Sequence, residues 1–311
     1  MQKILITGGA GYIGSVLSKY LIENNFSVTV LDTLIYNQFP VADLFYNNNY
    51  SLNKIDVRNK SELKKEISKS DFIIPLAAIV GAPACDQHPE LASQINYDQI
   101  QFIVDNLSKD QKILLPTTNS GYGVGQKDKF CNEDSPLNPI SHYAKTKTNA
   151  EKYMLDSGNG ISLRLATVFG PSQRMRLDLL VNDFVYKAVN DGYIVLFESQ
   201  FKRNYIHIKD VCSAFLHLIN NYENLNNNIF NVGLSSANLS KFELCEVIKE
   251  HLTEFVFIDS KIKEDQDKRD YIVSNRKIEN TGWSPKYSLD DGIISLIKLY
   301  KVINLHNLKN V

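Results

Sequence analysis

Short apolar runs alternate with stretches of helical periodicity through the first half of the chain. The runs that predict buried strands are 3–7, 27–31, 51–55, 71–76, 112–117 and 161–166. Three of the intervening stretches that predict helices are 61–69, 90–107 and 141–157. Strands that alternate with helices build a parallel sheet with helices on its faces. The pattern therefore predicts an α/β fold with a doubly wound parallel sheet.

The pattern becomes less regular after Gly170-Pro171. The elements predicted beyond this point are a strand at 204–208, a helix at 211–221, a sheet strand at 230–233, and amphipathic helices near 240–252 and 289–301 with a short strand between them. We expect this part to form a smaller, mixed α/β lobe that interleaves with the first.

The first strand runs directly into a glycine-rich turn at 7–14. Gly9, Gly11 and Gly14 satisfy the G-x-G-x-x-G spacing, and Gly8 with the last two satisfies G-x-x-G-x-x-G. Glycine lets the backbone approach a diphosphate, and amides at a helix start carry partial positive charge. The turn therefore predicts a Rossmann-like dinucleotide site. The residues predicted to bind the dinucleotide here are Gly8, Gly11, Tyr12 and Ile13.

An acid ends the second predicted strand. Asp32 lies 18 residues after Gly14, close to the roughly 20 expected for a carboxylate that binds the adenosine ribose. The other interpretation is an ordinary strand-end aspartate. An acid repels a 2′-phosphate, and no arginine follows Asp32 closely, so the sequence favours NAD over NADP.

Two further strand ends supply candidate cofactor residues. Asp56 either accepts a hydrogen bond from an adenine amine or caps a helix or turn. Ala77 and Ala78 either allow the backbone to approach a ribose or simply pack. The predicted cofactor residues at these two ends are Asp56, Val57, Leu76, Ala77 and Ala78.

Tyr143 and Lys147 form a Y-x-x-x-K pair at the start of a predicted helix. Residues four apart share a helix face, where an ammonium lowers the pKa of a tyrosine from its usual value of about 10. The tyrosine then removes a proton from a hydroxyl as hydride leaves the same carbon. The hydroxyl of Thr118 is a candidate partner for the same substrate oxygen. The candidate catalytic residues are Thr118, Tyr143 and Lys147.

The same spacing occurs at Tyr50/Lys54 and at Tyr205/Lys209. Both of these pairs lie in extended segments, where residues four apart are roughly 13 Å apart. Only the pair at 143 and 147 is expected to share a helix face.

Taken in order, these residues resemble the extended short-chain dehydrogenase/reductase family of sugar-nucleotide epimerases and dehydratases. The matching segments also include Asn96, the G-Y-G run 121–123, the R-x-x-x-V-x-G-P run 164–171 and the R-x-[FY]-x-x-x-x-D-V run 203–211. The resemblance covers essentially the whole chain and implies a nucleotide-sugar substrate, with Arg203 facing its diphosphate. It also implies a homodimer joined through the helix before Thr118 and the helix that carries Tyr143.

Two departures from the family pattern bear on the reaction. Thr167 stands where the family usually has an asparagine. The contact that this asparagine makes with the substrate is therefore in doubt here. Asn119 and Ser120 stand where the 4,6-dehydratases carry acids, and neither side chain supplies an acid for elimination of water. The sequence therefore argues against dehydration and leaves oxidation at C4, with or without epimerisation.

A narrower likeness links the runs 75–85, 119–123, 174–184 and 267–271 to the GDP-manno-heptose C4-dehydrogenases of bacterial capsule synthesis. It implies oxidation of C4 of a GDP-linked heptose. If the ketone leaves the enzyme, a second substrate must reoxidise NADH, and a small 2-oxo acid is our hypothesis for it. A 4-epimerase with no net redox change is the main alternative. A non-catalytic NAD sensor is disfavoured by the intact catalytic set. The substrate residues that the two resemblances imply are Thr118, Asn119, Ser120, Thr167, Arg174, Arg176, Arg203, Lys268 and Arg269.

Composition narrows the class of partner. The 311 residues carry a net charge of −1, which offers no electrostatic basis for binding nucleic acid or a membrane. No apolar run reaches the ~18 residues that span a bilayer, and the first strand leaves no room for a signal peptide. The four scattered cysteines favour a reduced, cytoplasmic protein without a metal site.

These observations together predict two units. Residues 1–170 form the NAD-binding domain, which 204–233 complete, and residues 171–203 with 234–311 form the substrate-binding lobe.

Overall fold

The strands of the described residues form one large sheet and three small ones. The computed structural model describes residues 1–36, 39–126, 129–260 and 269–303. Its strands are β1 Lys3–Thr7, β2 Ser27–Asp32, β3 Tyr50–Lys54, β4 Phe72–Pro75, β5 Lys112–Thr118, β6 Phe130–Cys131, β7 Ile161–Leu165, β8 Thr167–Phe169, β9 Tyr193–Phe197, β10 Lys202–His207, β11 Asn228–Val232, β12 Asn238–Ser240, β13 Val256–Ser260 and β14 Ile272–Val273. In the described ranges the large sheet has the order β11-β7-β5-β4-β1-β2-β3, and all its pairings are parallel.

Helices connect these strands. They are α1 Tyr12–Glu23, α2 Lys60–Ile67, α3 Ala82–Gln87, α4 Pro89–Ser93, α5 Gln99–Asp105, α6 His142–Asp156, α7 Leu180–Asn190, α8 Ile208–Asn220, α9 Tyr222–Leu225, α10 Lys241–His251, α11 Arg276–Glu279 and α12 Leu289–Tyr300. Short 3₁₀ turns cover Ala42–Tyr46 and Asn119–Tyr122, and a π-helical turn covers Gln94–Asp98. None of the helices within the described ranges has the length and apolarity needed to cross a membrane.

The predicted α/β fold with a parallel sheet is confirmed, and the six strands predicted in the first half agree with β1–β5 and β7 within one or two residues. The single helix predicted at 90–107 is wrong in detail, because the π-helical turn separates α4 from α5. π-helical turns are rare overall, and many of those that occur lie at functional sites. The side chain of Asn96, in the middle of this turn, bonds outward to the neighbouring loop.

The second half of the chain only partly extends the large sheet. Strand β11 pairs with β7 in that sheet, whereas β10 pairs with β8 and β12 in a separate one. Within the segment 204–233, only β11 therefore adds a strand to the large sheet. The division of the chain into a cofactor domain and a substrate lobe stays a prediction.

The large sheet is buried on both faces, as its continuous apolar strands predict. Along β1, Ile4 and Ile6 pack into one apolar layer and Leu5 packs into the other. The first layer extends into α7, α8, α10 and α12, so the C-terminal half of the chain shares a core with the sheet. The sheet edge and the lobe are thereby held as neighbours around the site described below.

The carboxylate of Asp210 anchors one loop of the lobe. It accepts hydrogen bonds from the backbone amides of Lys286 (2.8 Å) and Tyr287 (3.0 Å). The ring of Tyr287 stacks on His207, with 4.5 Å between ring centroids. Burial lowers the pKa of His207 to about 4, so this imidazole is neutral at physiological pH.

The glycine turn passes very close to the end of β4. Gly8 has φ of 70°, and a Cβ atom there would lie 2.6 Å from the backbone nitrogen of Ala77. A Cβ atom on Gly14 would lie 2.6 Å from the Cα atom of Gly9. Only glycine fits these two positions, because the obstructing atoms are backbone and cannot move aside cheaply.

We expect Gly8→Ala to lower the free energy of unfolding far more than Gly158→Ala. Gly158 has a similar φ of 75°, but no atom lies within 4 Å of the position that a Cβ atom would take there. Its variant therefore reports backbone strain alone, about 1 kcal/mol. Gly8→Ala adds the clash with Ala77 and should lose at least about 2 kcal/mol more. Chemical denaturation of both variants measures the difference. Equal losses would contradict the close approach.

Candidate active site

A cavity of about 310 Å³ opens at the carboxyl edge of the large sheet, within the size range of small-molecule sites. The glycine turn, the ends of β2 and β4, and the loop after β3 form its walls. Its lining includes Gly8, Gly11, Tyr12, Ile13, Asp32, Asp56, Val57, Leu76, Ala77 and Ala78. All the residues predicted to bind the cofactor apart from the catalytic pair therefore meet in one cavity.

The helix that follows the glycine turn begins without a side-chain cap. Gly11 is the N-cap residue of α1 and has no side chain that could accept a hydrogen bond from the first turn. The first amides of a helix are unpaired donors at its positive end. Together with the close approach that Gly8 allows, this uncapped end fits the diphosphate of a dinucleotide.

The carboxylate of Asp32 is held at the cavity wall by two backbone amides. One oxygen accepts from Ala10 (3.0 Å) and the other from Leu34 (2.9 Å). These bonds fix the acid on the turn, where a carboxylate suits ribose hydroxyls.

Asp56 is engaged by a neighbour. Its carboxylate accepts from both the backbone and the guanidinium of Arg58, with Nη2 at 2.6 Å from Oδ2. These hydrogen bonds lower the pKa of Asp56. The acid is thus a turn residue in this structure, as one of its two interpretations states, and it still lines the cavity.

Arg174 reaches this same cavity from the segment after β8. It lines the cavity together with Asp32, and its guanidinium lies 4.5 Å from the ring centroid of Tyr36. Arg174 itself is buried, and its Nη1 atom donates to the carbonyl of Met175. The sequence predicts a substrate contact for Arg174, but the structure places it against the cavity of the glycine turn. Tyr36 is a cavity residue that sequence reasoning missed, since one aromatic after the acid carries no motif.

Tyr143 and Lys147 share one face of α6, as their spacing predicts. Burial lowers the pKa of Lys147 to about 8. Burial also raises the pKa of Tyr143, while Arg176 and Arg269 act to lower it. The sequence predicts that Lys147 lowers the pKa of Tyr143. In the structure, burial raises this pKa instead. The cations that oppose the effect of burial come from the C-terminal lobe instead.

Thr118 ends β5 and caps the 3₁₀ turn that follows. Its hydroxyl donates to the Oγ atom of Ser120 at 2.9 Å and accepts from the backbone amide of Ser120 at 3.1 Å. The guanidinium of Arg269 also donates to the hydroxyl of Ser120. Arg269 thus contacts Ser120, which stands at a position where the 4,6-dehydratases carry an acid.

Asn119 is almost fully buried beside Thr118, at 1% exposure. Neither its amide nitrogen nor its oxygen has a hydrogen-bond partner within the described part of the chain. An unpaired buried amide is unfavourable unless another group completes its bonds. The substrate contact of Asn119 stays a prediction.

Asn96 joins the cavity wall to the helix that carries the tyrosine. Its side chain donates to the carbonyl of Ile79 and accepts from the amide of that residue, both at 2.9 Å. It also donates to Thr146 at 3.4 Å, and Thr146 bonds to the carbonyl of Tyr143. Ile79 lines the cavity, so the two halves of the site are connected through one amide.

The remaining predicted substrate residues occupy different surroundings. Arg176 lines the cavity and pairs with Asp178 at 2.5 Å. Arg203 is buried on β10 with its guanidinium 5.6 Å from the ring of Tyr271, and Thr167 pairs with β10. Lys268 lies outside the described residues.

The comparison with known families agrees with this geometry. A model described as the NAD dependent epimerase/dehydratase family matches residues 4–233. The chain belongs to this family. The family resemblance predicted from the motifs is thereby confirmed, and so is NAD as the cofactor.

Curated relatives match over nearly their whole length. The low-salt glycan biosynthesis protein Agl12 of Haloferax volcanii is 27% identical over 312 residues, covering 96% of this chain and 98% of the relative. The CDP-paratose 2-epimerase of Salmonella typhi is 26% identical over 332 residues, covering 94% and 97%.

Solved structures share the fold. The UDP-glucose 4-epimerase of Thermotoga maritima, solved with UDP-glucose, has a TM-score of 0.84 at 23% identity over 96% of this chain and 99% of that chain. The UDP-glucuronic acid 4-epimerase of Bacillus cereus, solved with UDP-glucuronic acid and NAD, has a TM-score of 0.85 at 23% identity with the same coverage.

We expect Lys147→Met to stabilise the NAD-free protein at pH 7. The pKa of Lys147 is lowered from 10.5 to about 8, so the folded protein binds this proton less tightly than the unfolded chain does. The lowering corresponds to about 3 kcal/mol of lost stability below pH 8. The gap between variant and parent should close as pH rises from about 8 towards 10.5. Denaturation at pH 7 and at pH 10 measures it. Lys145→Met, on the exposed face of the same helix, should show no such gap.

We expect Tyr36→Ala to weaken NADH binding about fivefold, because a cation–π contact and one wall of the cavity are worth about 1 kcal/mol. Titration of the NADH fluorescence measures the dissociation constant. Tyr46→Ala is the matched control, since Tyr46 is 94% exposed on the same connection and does not line the cavity. Equal affinities of parent and Tyr36→Ala would show that Tyr36 does not cover the bound cofactor.

Proposed function

We propose that this protein catalyses NAD-dependent oxidation at C4 of a nucleotide sugar. The observation that carries the proposal is that Tyr143 and Lys147 share one face of α6, which Asn96 and Thr146 join to the wall of a cavity that fits NAD. Nucleotide sugars are the substrate class of the proposal because the two neighbours described above were solved with UDP-glucose and UDP-glucuronic acid.

Tyr143 is the base of the proposed reaction and accepts the proton of the C4 hydroxyl. Thr118 donates a hydrogen bond to the same oxygen after its hydroxyl turns away from Ser120. Burial raises the pKa of Tyr143, and Arg176 and Arg269 oppose this effect and so favour the tyrosinate that this step needs. Bound NAD supplies the hydride acceptor.

The residues after Thr118 favour oxidation without loss of water. Elimination across C5–C6 needs an acid next to the substrate, and Asn119 and Ser120 offer none. The hydroxyl of Ser120 is moreover held by Arg269, so this part of the site is positively charged. Dehydration is accordingly not part of the proposal.

The finer proposal is that the substrate is GDP-D-glycero-manno-heptose and the product its 4-keto form, made for a capsular or surface polysaccharide. Its support is the resemblance of the runs 75–85, 119–123, 174–184 and 267–271 to GDP-heptose C4-dehydrogenases. Release of the ketone leaves NADH behind. A small 2-oxo acid would then take the hydride and a proton to become a 2-hydroxy acid, which restores NAD.

A 4-epimerase is the alternative, because the two solved neighbours are named as 4-epimerases. In that reaction the hydride returns to the other face of the same sugar. No second oxidant is consumed, so the two proposals differ in stoichiometry.

We also propose a homodimer that forms through α5 and α6. These helices pack side by side, and the hydroxyl of Tyr153 donates to Asp105 across them at 2.7 Å. The support for this contact is the family resemblance.

The deciding experiment incubates the purified protein with GDP-D-glycero-manno-heptose, UDP-glucose or UDP-glucuronic acid, each with and without pyruvate. NMR of the sugar follows the product. A C4 ketone whose amount rises with pyruvate, together with lactate, is expected. A C4 epimer formed in the absence of pyruvate would overturn the dehydrogenase proposal in favour of the epimerase.

We expect Tyr143→Phe to lower kcat at least 100-fold, the usual contribution of a general base. Tyr153→Phe is the matched control, because Tyr153 lies on the same helix with its hydroxyl bonded to Asp105. It should retain parental kcat. Unchanged turnover in Tyr143→Phe would remove the tyrosine from the mechanism.

A further inference from the structure

We propose that Glu151 and Arg164 are positioning residues, which set the distance between Thr118 on β5 and the Tyr143–Lys147 face of α6. The inference rests on the proposed function only for the roles of these three residues. The proposed reaction gives neither member of the pair a contact with the substrate or the cofactor, so we do not regard them as catalytic residues.

Glu151 continues the catalytic face of α6. It follows Lys147 by four residues and Tyr143 by eight, so all three lie along one side of the helix. Its side chain is 4% exposed. One carboxylate oxygen accepts hydrogen bonds from Thr117 at 3.0 Å and from the hydroxyl of Ser162. Thr117 directly precedes Thr118, so the helix is bonded to the strand one residue away from the catalytic hydroxyl.

Arg164 holds the same carboxylate from β7. Its Nη2 atom lies 2.7 Å from Glu151 Oε1, and its Nε atom lies 3.1 and 3.2 Å from the two oxygens. The guanidinium is planar, so two parallel bonds to a carboxylate fix orientation as well as distance. The helix can then neither slide along the sheet nor rotate without breaking charged hydrogen bonds in a buried place.

The second side of the guanidinium reaches the turn that follows Thr118. Arg164 Nη1 donates to the hydroxyl of Tyr122 and to the carbonyl of Glu133, both at 3.1 Å. Tyr122 ends the 3₁₀ turn that Thr118 caps. Arg164 therefore bonds to α6 through Glu151 and to the catalytic turn through Tyr122.

The network continues towards the lobe that supplies Arg269. The hydroxyl of Tyr122 donates to Asn231 Oδ1 at 2.7 Å, and Asn231 Nδ2 donates to the carbonyl of Ser274 at 3.1 Å. Ser274 directly follows β14, five residues after Arg269. One chain of hydrogen bonds thus links the helix that carries the base, the strand and turn around Thr118, and the segment that carries Arg269.

Stability alone gives a weak reason for such a pair. Replacing a buried ion pair by apolar residues of similar volume is often neutral or stabilising. Fixed geometry gives a stronger reason, because a displacement of about 1 Å in an active site lowers turnover about 100-fold. The two explanations predict different outcomes, which the following variants separate.

The test compares Glu151→Gln with Asp210→Asn. Both remove the charge of a buried carboxylate that accepts hydrogen bonds, but Asp210 serves a loop of the lobe. With the sugar that the parent oxidises, we expect Glu151→Gln to lower kcat at least 50-fold while KM and the NADH dissociation constant stay within twofold. Asp210→Asn should keep parental kcat. Parental kcat in folded Glu151→Gln, or an equal loss in both variants, would overturn the proposal.

A double variant addresses loss of folding. Glu151→Met with Arg164→Met replaces the pair by apolar volume, so it should fold even if Glu151→Gln does not. We expect this protein to bind NADH like the parent and to have the same low kcat as Glu151→Gln. Parental kcat in the double variant would show that the pair has no positioning role.

A readout without substrate separates this proposal from the proposed function. In protein labelled with 3-fluorotyrosine, the Tyr143 resonance is identified by its absence in Tyr143→Phe. We expect this fluorine resonance to shift or broaden in Glu151→Gln and to stay unchanged in Asp210→Asn. An unchanged Tyr143 resonance in Glu151→Gln would contradict positioning, whichever sugar the enzyme uses. A parent that oxidises none of the sugars would instead contradict the proposed function alone.

Discussion

The common direction of the strands in the large sheet is the constraint on which the rest of the structure depends. Parallel strands bring all their carboxyl ends to one edge, and ligands of such sheets bind there. The glycine turn after β1, Asp32 at the end of β2, Ala77 after β4 and Thr118 at the end of β5 meet for this reason. Residues far apart in the chain thus come to the same edge of the sheet.

Burial shifts the pKa values of both Tyr143 and Lys147, and cations from the C-terminal part of the chain oppose the shift of the tyrosine. The same burial that excludes water lowers the pKa of Lys147 and raises that of Tyr143, so both groups are shifted towards their neutral forms. Arg176 and Arg269 act in the opposite direction on the tyrosine. Both residues come from outside the strands and helices of the first half. The C-terminal part of the chain therefore contributes positive charge near Tyr143.

The parts of the site that were predictable from sequence are those with local causes. Gly8 and Gly14 obey a spacing set by one turn, and Tyr143 with Lys147 obeys the repeat of one helix. The position of Arg174 was not predictable, because its contact with Tyr36 joins two segments over 130 residues apart. The contact of Arg269 with Ser120 is equally distant in sequence. The π-helical turn around Asn96 also escaped prediction, and the side chain at its centre bonds to the distant loop of Ile79.

By itself the sequence determined the α/β class, the dinucleotide turn with its acid, the Y-x-x-x-K pair and the lack of an acid after Thr118. Each follows from interactions within one or two consecutive elements. Only the tertiary structure decided which cations approach Tyr143, that Arg174 belongs to the cavity wall, and that Glu151 and Arg164 tie α6 to β5 and β7. These depend on how distant elements pack, and a buried charge chooses its partner only after the chain has excluded water around it.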